Sequence, residues 1–275
     1  MVSKREELIN RGFCVFENVL TSEMVDRIND VSNRLLDAKD AAYFEAQKST
    51  GSLISVYEDE FFADLIMWRR ALEVLSGMGY QRPMFSSGFV ISKPPHSPPL
   101  FWHQDWWGWN DPVSYQPLPL QVFLMYYTVD TSIENGCLRL IEGSHLKRHP
   151  LHDVAPEAHT EDLRRVSDPD HRAYQSFPEE VNVPVKAGDL VMGDSRMLHS
   201  AHANKTDQRR TVITLWYYPR FDEFPEGMQA RLARNPAKLD GWSESARQKV
   251  VPVTPVYEGD CEALEWNRIP GPELV

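Results

Sequence analysis

The 275-residue sequence predicts a mainly β protein with flanking helices. Short β-prone runs recur from residue 13 to residue 218, separated by turn-forming Gly, Pro, Asn and Asp. Helical periodicity is confined to stretches before, between and after those runs. A His-x-Asp pair, His103 and Asp105, sits inside the aromatic run Phe101-Trp102-His103-Gln104-Asp105-Trp106-Trp107. Side chains at i and i+2 of a strand share a face, so this pair can grip one ion.

Residues 13–19 read as the first strand. Thr21 or Ser22 can cap a helix whose apolar positions Val25, Ile28, Val31 and Leu35 recur at helical spacing and brace the outside of a sheet. Residues 60–75 read as a second helix, with Phe61, Phe62, Leu65, Ile66 and Trp68 as core. Residues 83–92 form a strand, and the proline-rich 93–99 a loop, since proline cannot donate to a ladder. Residues 107–119 are irregular, a lid or one wall of a pocket. Residues 121–129 are a strand, and 130–135 turn into the short strand Gly136-Cys137-Leu138. Residues 145–177 form a long polar insertion. Its His145, His149, His152, His159 and His171 fit no tight metal spacing and read as solvated. Residues 181–185 are a further strand. The turn Ala187-Gly188-Asp189 leads into a short apolar strand with a histidine at or just past its end. Arg209-Arg210 then opens the β-prone run 211–218. Beyond Arg220 the pattern is polar, with a helix expected over 226–235 and an irregular tail that packs on the barrel or on a second subunit.

One imidazole and one carboxylate, from His103 and Asp105, need a second imidazole to make a 2-His-1-carboxylate triad, which leaves coordination positions open on Fe(II). His199 and His202 both offer it. Either Arg209 or Arg210 can face the same cavity, but strand alternation forbids both. An inward arginine offers a planar fork for a carboxylate.

Between these motifs lies Glu134-Asn135-Gly136-Cys137-Leu138-Arg139-Leu140-Ile141-Glu142-Gly143-Ser144-His145. With His103-x-Asp105 before it and a histidine, Asn204 and an arginine after it, the chain resembles the phytanoyl-CoA dioxygenase family of Fe(II)/2-oxoglutarate oxygenases over residues 8–220. Lys93-Pro94-Pro95 and the opening Gly12-Phe13…Leu20-Thr21-Ser22-Glu23 add to the likeness. Glu142 stands where the family usually has proline, at a turn position. The resemblance implies a double-stranded β-helix (jelly-roll, cupin-like) core within one oxygenase domain, 1–275, with 221–275 as an extension. It implies Fe(II), 2-oxoglutarate as co-substrate, and O2. The implied reaction hydroxylates an unactivated C–H bond of a small metabolite or natural-product intermediate and releases succinate and CO2. In the family, asparagine follows the distal ligand by five residues and arginine by eleven. Asn204 and Arg210 meet both offsets from His199, so the resemblance assigns His103, Asp105 and His199 to iron and Arg210 to the distant carboxylate of 2-oxoglutarate. Local motif alignment adds Gln104, Phe89 and Met125 as co-substrate contacts, against the alternatives of an outward side chain for Gln104 and plain core for the other two. Related halogenases lack the carboxylate ligand, so Asp105 favours hydroxylation over halogenation.

The formal charge of −11 argues against nucleic acid or an anionic membrane as partner. Cys14, Cys137 and Cys261 are too few and too scattered for a disulfide framework and read as reduced, buried thiols. No apolar leader or membrane-length run is visible, so a soluble cytoplasmic protein is expected. Trp102, Trp106, Trp107, Trp109 and Tyr115 can stack on a ring or hold a cationic ammonium group, so an aromatic or cationic substrate is expected, unless these rings simply pack the barrel mouth. A CoA thioester is disfavoured: no dense basic cluster offers itself for its phosphates, with Lys147-Arg148 and Arg164-Arg165 the candidates. The competing readings are a cupin-like binding or sensor protein without turnover, and a metal-dependent hydrolase or isomerase on the same barrel. The sequence does not set the oligomeric state.

Overall fold

The computed structural model describes residues 2–154, 158–234 and 239–275. Its core is two antiparallel sheets. The larger has the order β1-β7-β4-β9-β3-β2, from β1 (Phe13–Phe16), β2 (Ile54–Ser55), β3 (Met84–Lys93), β4 (Val122–Tyr127), β7 (Leu190–Asp194) and β9 (Arg210–Tyr218). The smaller has the order β6-β5-β8, from β5 (Leu138–Ile141), β6 (Glu180–Val183) and β8 (His199–Ala201). Residues 97–103 run antiparallel beside β8 through the bridges Ser97–Asn204 and His103–His199. The loop expected over 93–99 therefore starts a fourth row of the smaller sheet.

Strand alternation divides the core. Along β9, Ile213, Leu215 and Tyr217 face outward into a cluster with Met24, Ile28, Leu35 and Leu36 of α2 (Ser22–Asp37). Val212 faces the other way, into a cluster that joins Phe123, Met125 and Tyr127 of β4 to Leu138 and Leu140 of β5. The two sheets thus pack face to face, and helices cover the outer face of the larger one. Thr21 caps α2 by accepting from the Met24 N–H at 3.2 Å. Residues 60–75 hold two helices rather than one, α4 (Phe62–Ile66) and α5 (Arg69–Gly77). Trp68 between them is extended (ψ 112°), and its Nε1 donates to the Val19 carbonyl at 2.8 Å. That anchor takes the backbone out of the helix.

The apolar strand β7 stops at Asp194, short of the histidine, and His199 opens β8 on the other sheet. The crossover is held by a buried ion pair. Arg196 Nη2 lies 2.6 Å from Asp194 Oδ2, and the guanidinium also donates to the carbonyls of Ser114 (2.8 Å), Gln116 (2.6 Å) and Leu118 (3.2 Å). It thereby fixes the irregular wall expected over 107–119. Burial raises the Asp194 pKa, but Arg196 outweighs it and holds the carboxyl below its ordinary value. We expect Arg196→Met to destabilise the protein by about 3–5 kcal/mol in urea unfolding, because it strands a buried carboxylate. The Asp194 contribution is present above roughly pH 4 and is lost as pH falls through the lowered pKa.

Gly12 ends α1 (Lys4–Arg11) with φ 89°, and a Cβ there would lie 2.2 Å from Met197 Sδ. Its carbonyl accepts from the Asp194 N–H at 2.8 Å, so this corner packs directly on the crossover that precedes His199. The helix expected over 226–235 is α7 (Glu226–Ala233); Asn235 lies outside the described residues. The tail expected to be irregular contains α8 (Glu244–Val250), whose Ala246 and Val250 join the outer cluster. Cys14 and Cys137 are buried free thiols, whereas Cys261 is half-exposed, contrary to expectation. No helix among the described residues is long and apolar enough to cross a membrane.

Candidate metal centre and cavity

His103 and His199 meet as a cross-strand pair. Each backbone N–H donates to the other's carbonyl, His103 to His199 at 3.0 Å and the reverse at 2.8 Å. Directly opposed residues send their side chains to the same face, and the two imidazole centroids lie 4.2 Å apart. Nδ1 of His103 donates to the Phe101 carbonyl (3.1 Å) and Nδ1 of His199 to the Met197 carbonyl (3.0 Å). Both protons are thus fixed on Nδ1 and both Nε2 lone pairs are free for a metal. Burial, then the facing His199, push the His103 pKa well below its ordinary value, which keeps it neutral.

Asp105 closes the triangle. Its Oδ1 lies 3.7 Å from His103 Nε2 and its Oδ2 lies 3.6 Å from His199 Nε2. Its backbone is clamped where the N–H groups of Asp105 and Trp106 both donate to the Ser195 carbonyl, at 2.7 and 2.9 Å. Trp216 Nε1 donates to Asp105 Oδ2 at 2.9 Å and orients the carboxylate. Two imidazoles and one carboxylate around one point form a donor set suited to a divalent transition metal.

The centre opens into a cavity of about 460 Å³. The inward face of β9 lines it with Arg210, Val212, Thr214 and Trp216, and β3 and β4 add Phe89, Ile91, Met125 and Tyr127. Arg210 is buried, its Nε has no hydrogen-bond partner, and no carboxylate among the described residues pairs with it. The Thr214 hydroxyl, on the same face, is also buried without a partner. An orphaned cation and an orphaned hydroxyl beside a metal-type donor set fit an anionic chelating ligand. Arg209 points outward and pairs with Asp37 at 3.2 Å, as alternation requires. His202 Nε2 bonds to Asn182 Oδ1 at 2.5 Å, away from the centre. Asn204 Nδ2 donates to the carbonyls of Lys93, Pro94 and Gln208 at 3.2, 3.0 and 2.7 Å, latching the loop that delivers Arg210.

Phe89 and Met125 both line the cavity. Gln104 does not: alternation turns it away, and its Nε2 donates to the Arg268 carbonyl at 2.7 Å, so the expected co-substrate contact is replaced by an anchor for the tail. Of the aromatic run, only Trp107 lines the cavity; Trp102, Trp106 and Trp109 are buried in packing. The expectation that the histidines of 145–177 are solvated fails at three positions. His145 and His152 are buried, and His145 Nε2 donates to the Ile9 carbonyl at 2.9 Å. His159 faces the centre, its ring 5.0 Å from that of His103. Burial, then Arg268, push its pKa down to about 4. Local spacing could not reveal His159, because its neighbours at the centre are remote in sequence.

The tail also reaches the site. Trp266 stacks on Trp107 (5.3 Å, 11°), and the Asn267 N–H donates to the Trp107 carbonyl at 2.8 Å. Arg268 Nη2 donates to the Gln104 carbonyl at 2.7 Å and lies 3.9 Å from Asp105 Oδ1. Nothing in the tail's polar sequence signalled this.

A family model for phytanoyl-CoA dioxygenase matches residues 9–212. The chain belongs to the phytanoyl-CoA dioxygenase family. Arg268 and Trp266 lie beyond the matched residues. No curated protein matches the chain. Solved structures similar to it include the non-heme α-ketoglutarate-dependent epimerase SnoN from nogalamycin biosynthesis (19% identity, TM-score 0.58, covering 78% of this chain and 80% of that one). HygX from Streptomyces hygroscopicus with nickel, 2-oxoglutarate and hygromycin B bound is 20% identical (TM-score 0.58, 79% and 87%). EvdO2 from Micromonospora carbonacea var. aurantiaca complexed with 2-oxoglutarate is 24% identical (TM-score 0.56, 78% and 89%). At these identities the likeness is one of fold.

Proposed function

We propose that this chain is an Fe(II)- and 2-oxoglutarate-dependent dioxygenase that hydroxylates an unactivated C–H bond of a small organic molecule and releases succinate and CO2. The observation that carries the reading is the pairing of a 2-His-1-carboxylate donor set with an orphaned buried guanidinium in one cavity. A hydrolase on the same barrel does not need that buried, unpaired cation, and the intact donor set beside it counts against a sensor without turnover. The iron, when bound, supplies O2 activation coupled to decarboxylation of the co-substrate. His103, Asp105 and His199 hold it and leave open positions. Arg210 takes the distant carboxylate of 2-oxoglutarate, with Thr214 as a second donor, and Phe89 and Met125 exclude water around its body. Trp216 orients the Asp105 carboxylate, whose presence favours hydroxylation over halogenation; desaturation, ring formation and epoxidation depend on the substrate's pose.

We read the two sheets as a double-stranded β-helix. In its support, β3, residues 97–103, β4, β5, β6, β7, β8 and β9 pass between the larger and the smaller sheet in turn, with only β5 and β6 consecutive in one sheet. The substrate reading keeps the aromatic expectation, supported by Trp107, Trp216 and Trp266 in the cavity lining. It drops the cationic one: Asp105 is the only carboxylate among the described lining residues and is committed to the metal, while Arg231 and Arg268 line the cavity. A neutral or acidic molecule fits that balance.

The test needs no substrate. Anaerobic Fe(II) protein is titrated with 2-oxoglutarate, and a visible metal-to-ligand charge-transfer band is expected to rise to one equivalent. Tight iron binding without that band would sink the oxygenase reading.

A further inference from the structure

We propose that His159 is a fourth protein ligand at this centre, one that would bind the metal in the absence of O2 and give up its position to it. The proposal rests on the metal-centre reading above. One ligand atom each from His103, Asp105 and His159 lie within 4.8 Å of one another, close enough to hold one ion. The His159 ring stands perpendicular to that of His103 (86°), and Phe101 packs edge-on against it at 5.2 Å. Its side chain makes no hydrogen bond with any described residue, although most of its surface is covered. A mostly covered imidazole that bonds to no described residue and lies beside two metal ligands can complete the coordination of an ion.

Coordination arithmetic decides why His159 must be displaceable. An octahedral ion held by His103, Asp105 and His199 keeps about three open positions, and a bidentate 2-oxoacid plus O2 needs all of them. With His159 bound, about two remain, enough for the chelate alone. The same ion therefore cannot carry His159, the chelate and O2 together. His159 sits on the 145–177 segment rather than on a sheet, so its ring can withdraw without disturbing the His103–His199 strand pair. This arrangement would keep O2 off the chelated iron until His159 leaves.

The probes are Cu(II), Co(II) and 2-oxoglutarate, with the wild-type chain, His159→Ala, His159→Gln and His103→Ala. In wild type, Cu(II) EPR is expected to count three imidazole nitrogens, with or without 2-oxoglutarate. His159→Ala should show two nitrogens throughout and bind Co(II) about tenfold or more weakly without co-substrate. Two nitrogens in wild type before co-substrate, or equal Co(II) affinity in wild type and both His159 variants, overturns the proposal. If His103→Ala also leaves Co(II) affinity unchanged, the metal-centre reading itself fails. If His103→Ala loses the metal and the His159 variants do not, only the fourth ligand falls.

Discussion

His103→Ala is expected to abolish metal-dependent turnover of 2-oxoglutarate and to weaken Fe(II) or Co(II) binding by at least about a hundredfold, since outer-shell partners alone cost 10- to 100-fold. The fold should survive. The backbone pairing of His103 with His199 does not use the imidazole, and the Nδ1 proton bonds only to the Phe101 carbonyl two residues back. Calorimetric titration of metal into the variant, beside a thermal melt of the apo-protein, separates lost ligation from lost structure. His202→Ala is the matched control. It removes a histidine three residues past His199 whose Nε2 is already bonded to Asn182, and metal affinity should not move. If His202→Ala weakened binding as His103→Ala does, the assignment of the distal ligand would be wrong.

That control also marks what the sequence could and could not convey. The strands were legible because alternation is a local property: β3, β4 and β9 fall within a residue or two of the apolar runs that mark them. The same rule showed that Arg209 and Arg210 could not both face the cavity, but picking Arg210 took the family's spacing. Choosing His199 over His202 needed the family's spacing. The physical basis of that spacing is tertiary, with Asn204 latching the loop to Lys93 and Pro94 so that the next strand begins at Arg210. Other features were not legible because the partners they answer to are remote. The strand expected to run up to the histidine ends at Asp194, because Arg196 recruits that carboxylate to hold the 112–119 wall. Gln104 looked inward by its place between two ligands, but its partner, Arg268, lies in a tail with no local signal. His159 looked solvated because polar loop residues usually are; only the folded chain brings it to His103.

Arg210→Met should weaken 2-oxoglutarate binding by about thirty- to several-thousand-fold, the range for removing one partner of a buried hydrogen-bonded charge pair, about 2–5 kcal/mol. The apo-protein should respond in the opposite sense. In apo-protein the guanidinium is buried with its Nε unpaired and faces Lys93, a buried amine whose pKa burial and then Arg210 push well down, directly across the β3–β9 ladder. Lys93 is satisfied by the carbonyls of Ser49 (2.9 Å) and Pro98 (2.5 Å); no comparable acceptor serves Arg210. A methionine of similar reach relieves an uncompensated charge, so apo stability should hold or rise while the stabilisation conferred by 2-oxoglutarate disappears. Thermal melts with and without saturating 2-oxoglutarate, in the presence of Ni(II), read both quantities from one pair of curves. Arg210→Lys keeps the charge but not the planar fork, and should fall between the two. A destabilised apo Arg210→Met protein that still gains full stability from 2-oxoglutarate would mean that the guanidinium is structural and that the co-substrate's distant carboxylate is held elsewhere. The opposite pair of signs is what a cation buried to await a ligand requires.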